Sequence, residues 1–440
     1  MSRPLPESEF AALSDRLRAD VPVPGGLSED ARSLFVWGAE AAPLFAGVVL
    51  RASEEATARH ARVVSYFTRE GTFFRRVHEA WRNLGGHAVP SDILEVSRLS
   101  TFAASLREVT PTEMRRVWNL FRSQSVGALL ATLGCPSEGL EGIVRRVGLQ
   151  LDEPVRDPWN DQRVAALFTT AEFSAALTAH RDRRRRELLG YLRAHGVRDD
   201  AAPRVIVDIG WRGTIQDNLA WLMPGTHFTG VYLAMHIVLN AQPPNVAKIA
   251  YAADVAAAYE RCARLLQHVQ PLEMVCNSPE GSVVGYRRSG LLRRWTAVRA
   301  PHGEDAASFD TCARHFQDGV VAALPVLARL APDARWTSDA LRPHAFASLQ
   351  RLIADPPPAA ARAFFSLRHH ETFGVGTTVD MSRSIAPGER FTSPATQAER
   401  EALETRADQS CWPCAFYRLH GLEAEREWFA VERLMIRRAR

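Results

Sequence analysis

Residues 204–222, RVIVDIGWRGTIQDNLAWL, decide the fold. Val205, Ile206 and Val207 form an apolar run that Asp208 interrupts and Ile209 resumes, and Gly210 and Gly213 then space a loop leading into Ile215-Gln216-Asp217-Asn218-Leu219. The apolar run predicts a buried strand, and the residues from Thr214 predict a helix. Glycines let the backbone turn tightly and approach a ligand. Thr214 stands near the helix start, where free N–H groups and the dipole favour an anion such as phosphate. Asp208, at the strand tip, then faces hydroxyl donors such as a ribose diol. A plain strand-to-helix turn capped by Asp208 is the alternative reading.

Working outward, RVVSYFT (62–68) reads as a strand, TFFRRVHEAWRNL (72–84) as a helix ended by Gly85-Gly86, and DILEVS (92–97) and HFTGVYLAM (227–235) as further strands. This alternation predicts an α/β domain with a mostly parallel sheet, in which ligands sit beyond the carboxyl ends of the strands. Three of those ends are polar: Arg69-Glu70-Gly71, Ser97-Arg98, and Asp208 through Thr214. Thr110-Pro111-Thr112-Glu113 has capping-box spacing with proline at the first helical position, which predicts a helical insert at about 110–195. Residues 1–58, with Phe10, Leu13 and Leu17 at helical spacing and a break at Pro43, read as a helical cap; 59–290 as the α/β domain; and 291–440 as a separate, mostly helical region.

With 440 residues, 46% hydrophobic and 24% charged, the chain can bury more than one core. No apolar run approaches the eighteen or so residues of a membrane span, the N-terminus lacks the apolar centre of a secretory signal, and six cysteines are too sparse for a disulfide framework. A cytoplasmic protein is expected, with contact at the inner face of the cytoplasmic membrane as a variant. A net charge of +4 is too small to argue for nucleic acid. Of 54 basic residues only Lys248 is lysine, and the run RDRRRRE (181–187) reads as a solvated helix face. Cys411-x-x-Cys414 is half a zinc spacing without a second half, and His369-His370 reads as a solvated helix end, so no protein-held metal is expected. The Walker pattern and the three-glycine dinucleotide fingerprint are missing. Asp-x-Asp does not occur, which removes the clamp common to one class of sugar-nucleotide glycosyltransferases and the acid pair of haloacid-dehalogenase-type phosphatases.

The loop resembles the phosphoribosyl-pyrophosphate motif of type I phosphoribosyltransferases, except that Val207 stands where that family usually has a second acid. YFTREGTFF (66–74), LEVSRLSTF (94–102), VDIGWRGTIQ (207–216) and LEMVCNSPEGSVVGY (272–286), in that order, resemble bacterial glycan phosphoribosyltransferases encoded with polysaccharide-assembly genes and often fused to a haloacid-dehalogenase-like phosphatase. The likeness covers roughly residues 60 to 290. It implies a mostly parallel sheet of phosphoribosyltransferase type and transfer of 5-phosphoribose from phosphoribosyl pyrophosphate to a glycan acceptor, lipid-linked in one version, with a separate phosphatase removing the 5-phosphate.

Carried onto this chain, the resemblance gives Asp208 the ribose hydroxyls and Gly210, Trp211, Arg212, Gly213 and Thr214 the 5-phosphate. Departure of pyrophosphate needs fixed positive charge where negative charge grows, and Arg69, beside the Gly71 turn, and Arg98 lie at the right strand ends. Magnesium held mainly by the donor's pyrophosphate is expected to share that work. Glu70, grouped with the donor loop, and Glu273 are the candidate bases for the acceptor hydroxyl; Glu273 is preferred for its apolar surroundings in PLEMVCNSP. Ser278, Gly281 and Ser282 are expected near the acceptor. Rival readings are a sugar-nucleotide-dependent glycosyltransferase of the same fold, a non-catalytic phosphoribosyl-ligand-binding partner of an assembly complex, and a nucleotide-salvage enzyme, for which no base pocket is legible.

Overall fold

The computed structural model describes residues 7–85, 89–119, 123–290, 294–301, 306, 309–331, 336–370, 378–380 and 389–434. Three helices come first: α1 (Glu7–Asp20), α2 (Glu29–Glu40) and α3 (Ala42–Ala58). Pro43 lies in the first turn of α3, where its missing N–H costs no helical bond, so the break falls where the sequence predicts. Leu13 and Leu17 are buried, while the side chain of Phe10 lies outside the described residues. Next come β1 (Val64–Phe67), α4 (Gly71–Asn83), β2 (Ser91–Leu94) and α5 (Arg98–Ser105). The insert holds α6 (Pro111–Trp118), α7 (Val126–Thr132), α8 (Glu141–Arg146) and α9 (Gln162–Thr169), with a short antiparallel pair β3 (Ser123–Gln124) and β4 (Val155–Arg156). The long α10 (Ala171–Ala194) leads back to the sheet through β5 (Arg204–Trp211), α11 (Thr214–Leu222), β6 (Phe228–Met235) and β7 (Val246–Asp254). After α12 (Tyr259–Cys262) and α13 (Gln270–Cys276), an antiparallel hairpin of β8 (Val283–Ser289) and β9 (Arg294–Arg299) precedes a mostly helical C-terminal part.

The central sheet has five strands in the order β2-β1-β5-β6-β7, every pairing parallel. Numbered among themselves, these strands run 2-1-3-4-5, the order of a doubly wound sheet. Their side chains alternate between faces. Val205, Val207 and Ile209 join Val64 and Tyr66 in a core with α3 and α4, whereas Ile206 joins Phe67, Leu94 and Tyr232 against α10 and α11. From β1 the chain leaves over the first face to β2, and from β5 it leaves over the second to β6. The reversal lies between β1 and β5, and a crevice opens there beyond their carboxyl ends.

The helical cap of 1–58 and the region 291–440, read as separate, share one apolar core with the sheet, which runs from Leu13 through Val64 and Val207 to Phe316, Leu349 and Leu434. A Cβ on Gly38 of α2 would come within 1.9 Å of the Phe316 carbonyl oxygen, and one on Gly319 within 1.9 Å of that of Phe35, so the first and last thirds of the chain meet backbone to backbone. The insert, by contrast, has its own core, including Trp118, Leu130, Val144, Leu167 and Phe173. Thr110 does cap α6, accepting from the Glu113 amide at 3.2 Å. The reciprocal half of the box is not formed, since the Glu113 carboxylate instead takes Arg107 and Arg116.

The arginine run 181–187 is only partly a solvated face. Arg185 donates to the carbonyls of Ala104 and Leu106 at 2.9 and 2.6 Å, Arg181 to that of Arg107 at 3.2 Å, and Arg184 to that of Val284. Arg185 closes the end of α5, whose last carbonyls have no intrahelical partner, while Arg181 holds the chain just beyond it and Arg184 ties α10 to β8. His369 and His370 fall in a short strand, Arg368–His370, rather than at a helix end. Among the described residues no single helix is long and apolar enough to cross a membrane; α2 and α3 pass that test only as a pair bent by 45°, and both lie mostly in the core.

If the terminal helices and the sheet share one core, Gly38→Val should lower the stability of the whole chain by at least about 2 kcal/mol, because the branched side chain meets backbone that cannot step aside. Denaturant unfolding followed by circular dichroism checks this. A second transition confined to the terminal helices would contradict it.

Candidate active site at the sheet reversal

Five ionisable side chains gather at the crevice. Arg69 and Glu70 follow β1, Arg98 opens α5, Asp208 lies near the end of β5, and Glu273 projects from α13. Arg69 and Glu70 approach to 3.9 Å, and Arg69 also donates to the Ser282 hydroxyl at 3.4 Å. The peptide between Thr68 and Arg69 is cis. Arg98 is aimed by the cap of its own helix: Ser97 and Ser100 form a reciprocal capping box, at 3.1 and 2.9 Å, and Ser97 also donates to the Val283 carbonyl at 2.5 Å. The Trp211 indole N–H donates to Glu273 Oε1 at 2.8 Å.

The electrostatics tie the five together. Withdrawal from water, and then the neighbouring Glu70 carboxylate, push Asp208 up to about 7; the Ile209 amide, donating at 2.9 Å, and Arg98 oppose the rise, while Glu273 adds to it. Burial brings the Arg98 guanidinium down to about 10, although Glu273, Asp208 and Glu70 favour its charge. Cys276, fully buried, lies on the same floor, and its thiol is raised by burial and then by Glu70 and Glu273. An acid poised near neutrality, flanked by two guanidiniums and two further carboxylates, can accept from hydroxyls, hold a polyanion and exchange a proton.

The expected donor loop is reached only in part. Asp208 and Trp211 join the cluster, and Gly210 and Gly213 lie against the neighbouring strands. Gly210 has φ +131°, and a Cβ there would lie 2.0 Å from the Ala234 carbonyl oxygen. Gly213 has φ +66°, and its Cβ would lie 2.6 Å from the Tyr232 hydroxyl. Thr214 is the first residue of α11, whose start has no side-chain cap. The Arg212 carbonyl accepts from Lys248 Nζ at 2.9 Å, and burial lowers the pKa of its guanidinium. Gly71 packs against the end of β1, where a Cβ would lie 3.1 Å from Tyr66.

In the segment expected near an acceptor, Ser282 meets Arg69, Ser278 is buried with a hydroxyl that has no hydrogen-bond partner among the described residues, and the Gly281 carbonyl accepts from Arg299 at 3.2 Å. Cys414 is buried and Cys411 partly so, and among the described residues no group of three or more His, Cys, Asp or Glu side chains is arranged to hold a metal ion.

Sequence reasoning missed the role of Lys248. Its ammonium reaches both Asp217 oxygens, at 2.7 and 2.8 Å, as well as the Arg212 carbonyl, and so fastens the loop and the first turn of α11 to β7. The signal was available: one lysine kept among 53 arginines marks a position where a compact ammonium suits a space that a planar guanidinium does not.

Two outcomes follow. The folded chain holds the Asp208 proton more tightly than an ordinary carboxyl of pKa 3.8, so ionising it costs stability; the cost grows from about pH 4 and is complete above about pH 7. Asp208→Asn should therefore leave thermal stability nearly unchanged below about pH 4 and raise it at pH 8 by on the order of 1–3 kcal/mol. A loss of stability at pH 8 would instead favour the capping reading. Lys248→Met leaves Asp217 buried beside an uncapped loop and should cost about 3 kcal/mol in chemical denaturation at pH 7, where an unchanged midpoint would contradict the role given to the pair. No protein-family model and no curated protein matches the chain.

Proposed function

We propose that this chain is a glycan phosphoribosyltransferase of the cytoplasm, with an α/β core of phosphoribosyltransferase type, acting in bacterial surface polysaccharide assembly. The observation that carries the reading is the meeting of Asp208, Arg98, Arg69, Glu70 and Glu273 at the β1/β5 reversal, although these residues come from four separate stretches of sequence. In a doubly wound sheet this is where a ligand is expected, and the charges suit a sugar bearing a polyanionic leaving group.

On this reading Asp208, ionised, accepts from the ribose hydroxyls, and the uncapped start of α11 offers amides to the 5-phosphate. Arg98 and Arg69 face the pyrophosphate as its charge develops, and Glu273 takes the proton of the acceptor hydroxyl. Ser278 and Ser282 border the acceptor side. The carboxylates of Asp208 and Glu70, close enough for one to raise the other, fit a magnesium ion bound mainly through donor oxygens, which would neutralise phosphate charge there. With no Asp-x-Asp pair in the chain, the product keeps its 5-phosphate for a separate phosphatase.

Incubating the protein with phosphoribosyl pyrophosphate, magnesium and a lipid-linked or synthetic glycan should add a phosphopentose to the acceptor, read by mass spectrometry. A hexose added only from a sugar nucleotide, or donor binding without any transfer, would overturn the reading. In that assay Arg98→Ala should lower kcat at least tenfold with donor affinity changed far less, because only contacts stronger in the transition state raise the catalytic rate. Equal losses in both would mean ground-state binding alone.

A further inference from the structure

Trp211 has a backbone conformation that its side chain does not favour. Its φ is +72°, in the left-handed region that large L-residues rarely adopt, and it sits between Gly210 at +131° and Gly213 at +66°. Such a residue persists where the surrounding structure holds it, and these cases cluster at functional sites. The turn has an evident consequence: the indole packs at the edge of the apolar core shared with α13, and its N–H reaches Glu273 Oε1 at 2.8 Å. The ring centroid of His236 lies 6.3 Å away.

We infer that Trp211 is a positioning residue, whose indole N–H fixes the Glu273 carboxylate in the orientation in which it accepts a proton, rather than a surface on which a sugar ring stacks. The inference rests on the proposed transfer reaction only for what Glu273 does with that proton. Other charged and titratable groups face Glu273 from each neighbouring element: Arg98 at the start of α5, Asp208 on β5, Glu70 after β1, and Cys276 on α13 itself. With Arg98 drawing it and neighbouring carboxylates repelling it, a neutral N–H donor fixes the orientation of Glu273 without altering the charge balance. A hydrogen bond to a carboxylate also favours its ionised form.

Trp211→Phe keeps an aromatic ring and removes the N–H. It should lower kcat about tenfold, leave the donor's Kd within about twofold, and move the acid limb of the pH–kcat profile to higher pH. A rise in donor Kd with an unmoved profile would overturn the inference in favour of stacking. A second readout needs no transfer. The fluorescence of Trp211, taken as wild type minus Trp211→Phe, should change with pH in a single titration that disappears when the same pair is compared in a Glu273→Gln background. If the titration is present but no phosphoribose moves, the contact stands and the proposed reaction fails. If the difference spectrum does not titrate, or titrates unchanged without Glu273, the positioning role is wrong.

Discussion

A parallel sheet whose order reverses cannot cover its own carboxyl edge at the reversal, and the site depends on that constraint. Helices after β1 and after β5 pass to opposite faces, so the space beyond these two strand ends is walled by α4 and α13 on one side and by α5 on the other. Residues distant in sequence are brought there because the strands and helices that carry them end there. Asp208 is expensive at that position: the sheet withdraws its carboxylate from water and sets it among like charges. Perturbed charges of this kind cluster at functional sites.

The polar framework around the crevice is built to keep its walls in register. Ser97 joins the start of α5 to β8, Arg69 reaches Ser282 just before β8, and Lys248 fastens the loop after β5 to β7. A second network reaches the insert. Asn218 of α11 bonds Thr101 and Ser105 of α5 and Arg116 of α6, so the helix that follows the candidate donor loop is tied to the insert's first helix. Polar networks of this kind favour one arrangement of elements, which apolar packing alone leaves looser.

Much of this was legible in the sequence, and for physical reasons. Val205 to Ile209 announce a buried strand because only a strand covered on both faces carries so continuous an apolar run. The polar ends of three strands announced the crevice, and Arg69, Glu70, Arg98, Asp208 and Glu273 were all found there. Strand β7 was not foreseen, since Val246–Asp254 is rich in alanine, which carries little strand signal. Nor was the single core of the terminal helices with the sheet: the contacts of Gly38 with Phe316 and Gly319 with Phe35 join residues nearly 300 positions apart, and no local pattern encodes them. Gly210 and Gly213 were read as admitting a ligand, and the approach of each to a neighbouring strand was not foreseen, because the two demands on a glycine look alike in sequence.

The central claim is that the half-buried Asp208 carboxylate at the reversal receives the donor sugar. Isothermal titration calorimetry with phosphoribosyl pyrophosphate and magnesium, at pH 6 and pH 8, on the wild type and Asp208→Asn, tests it most directly. The account predicts saturable binding that is tighter at pH 8 in the wild type, where Asp208 is ionised, and a variant that binds at least tenfold more weakly at pH 8 with most of that pH preference gone. Equal affinity of the two proteins at both pH values, or tight binding of a sugar nucleotide where phosphoribosyl pyrophosphate does not bind, would contradict it.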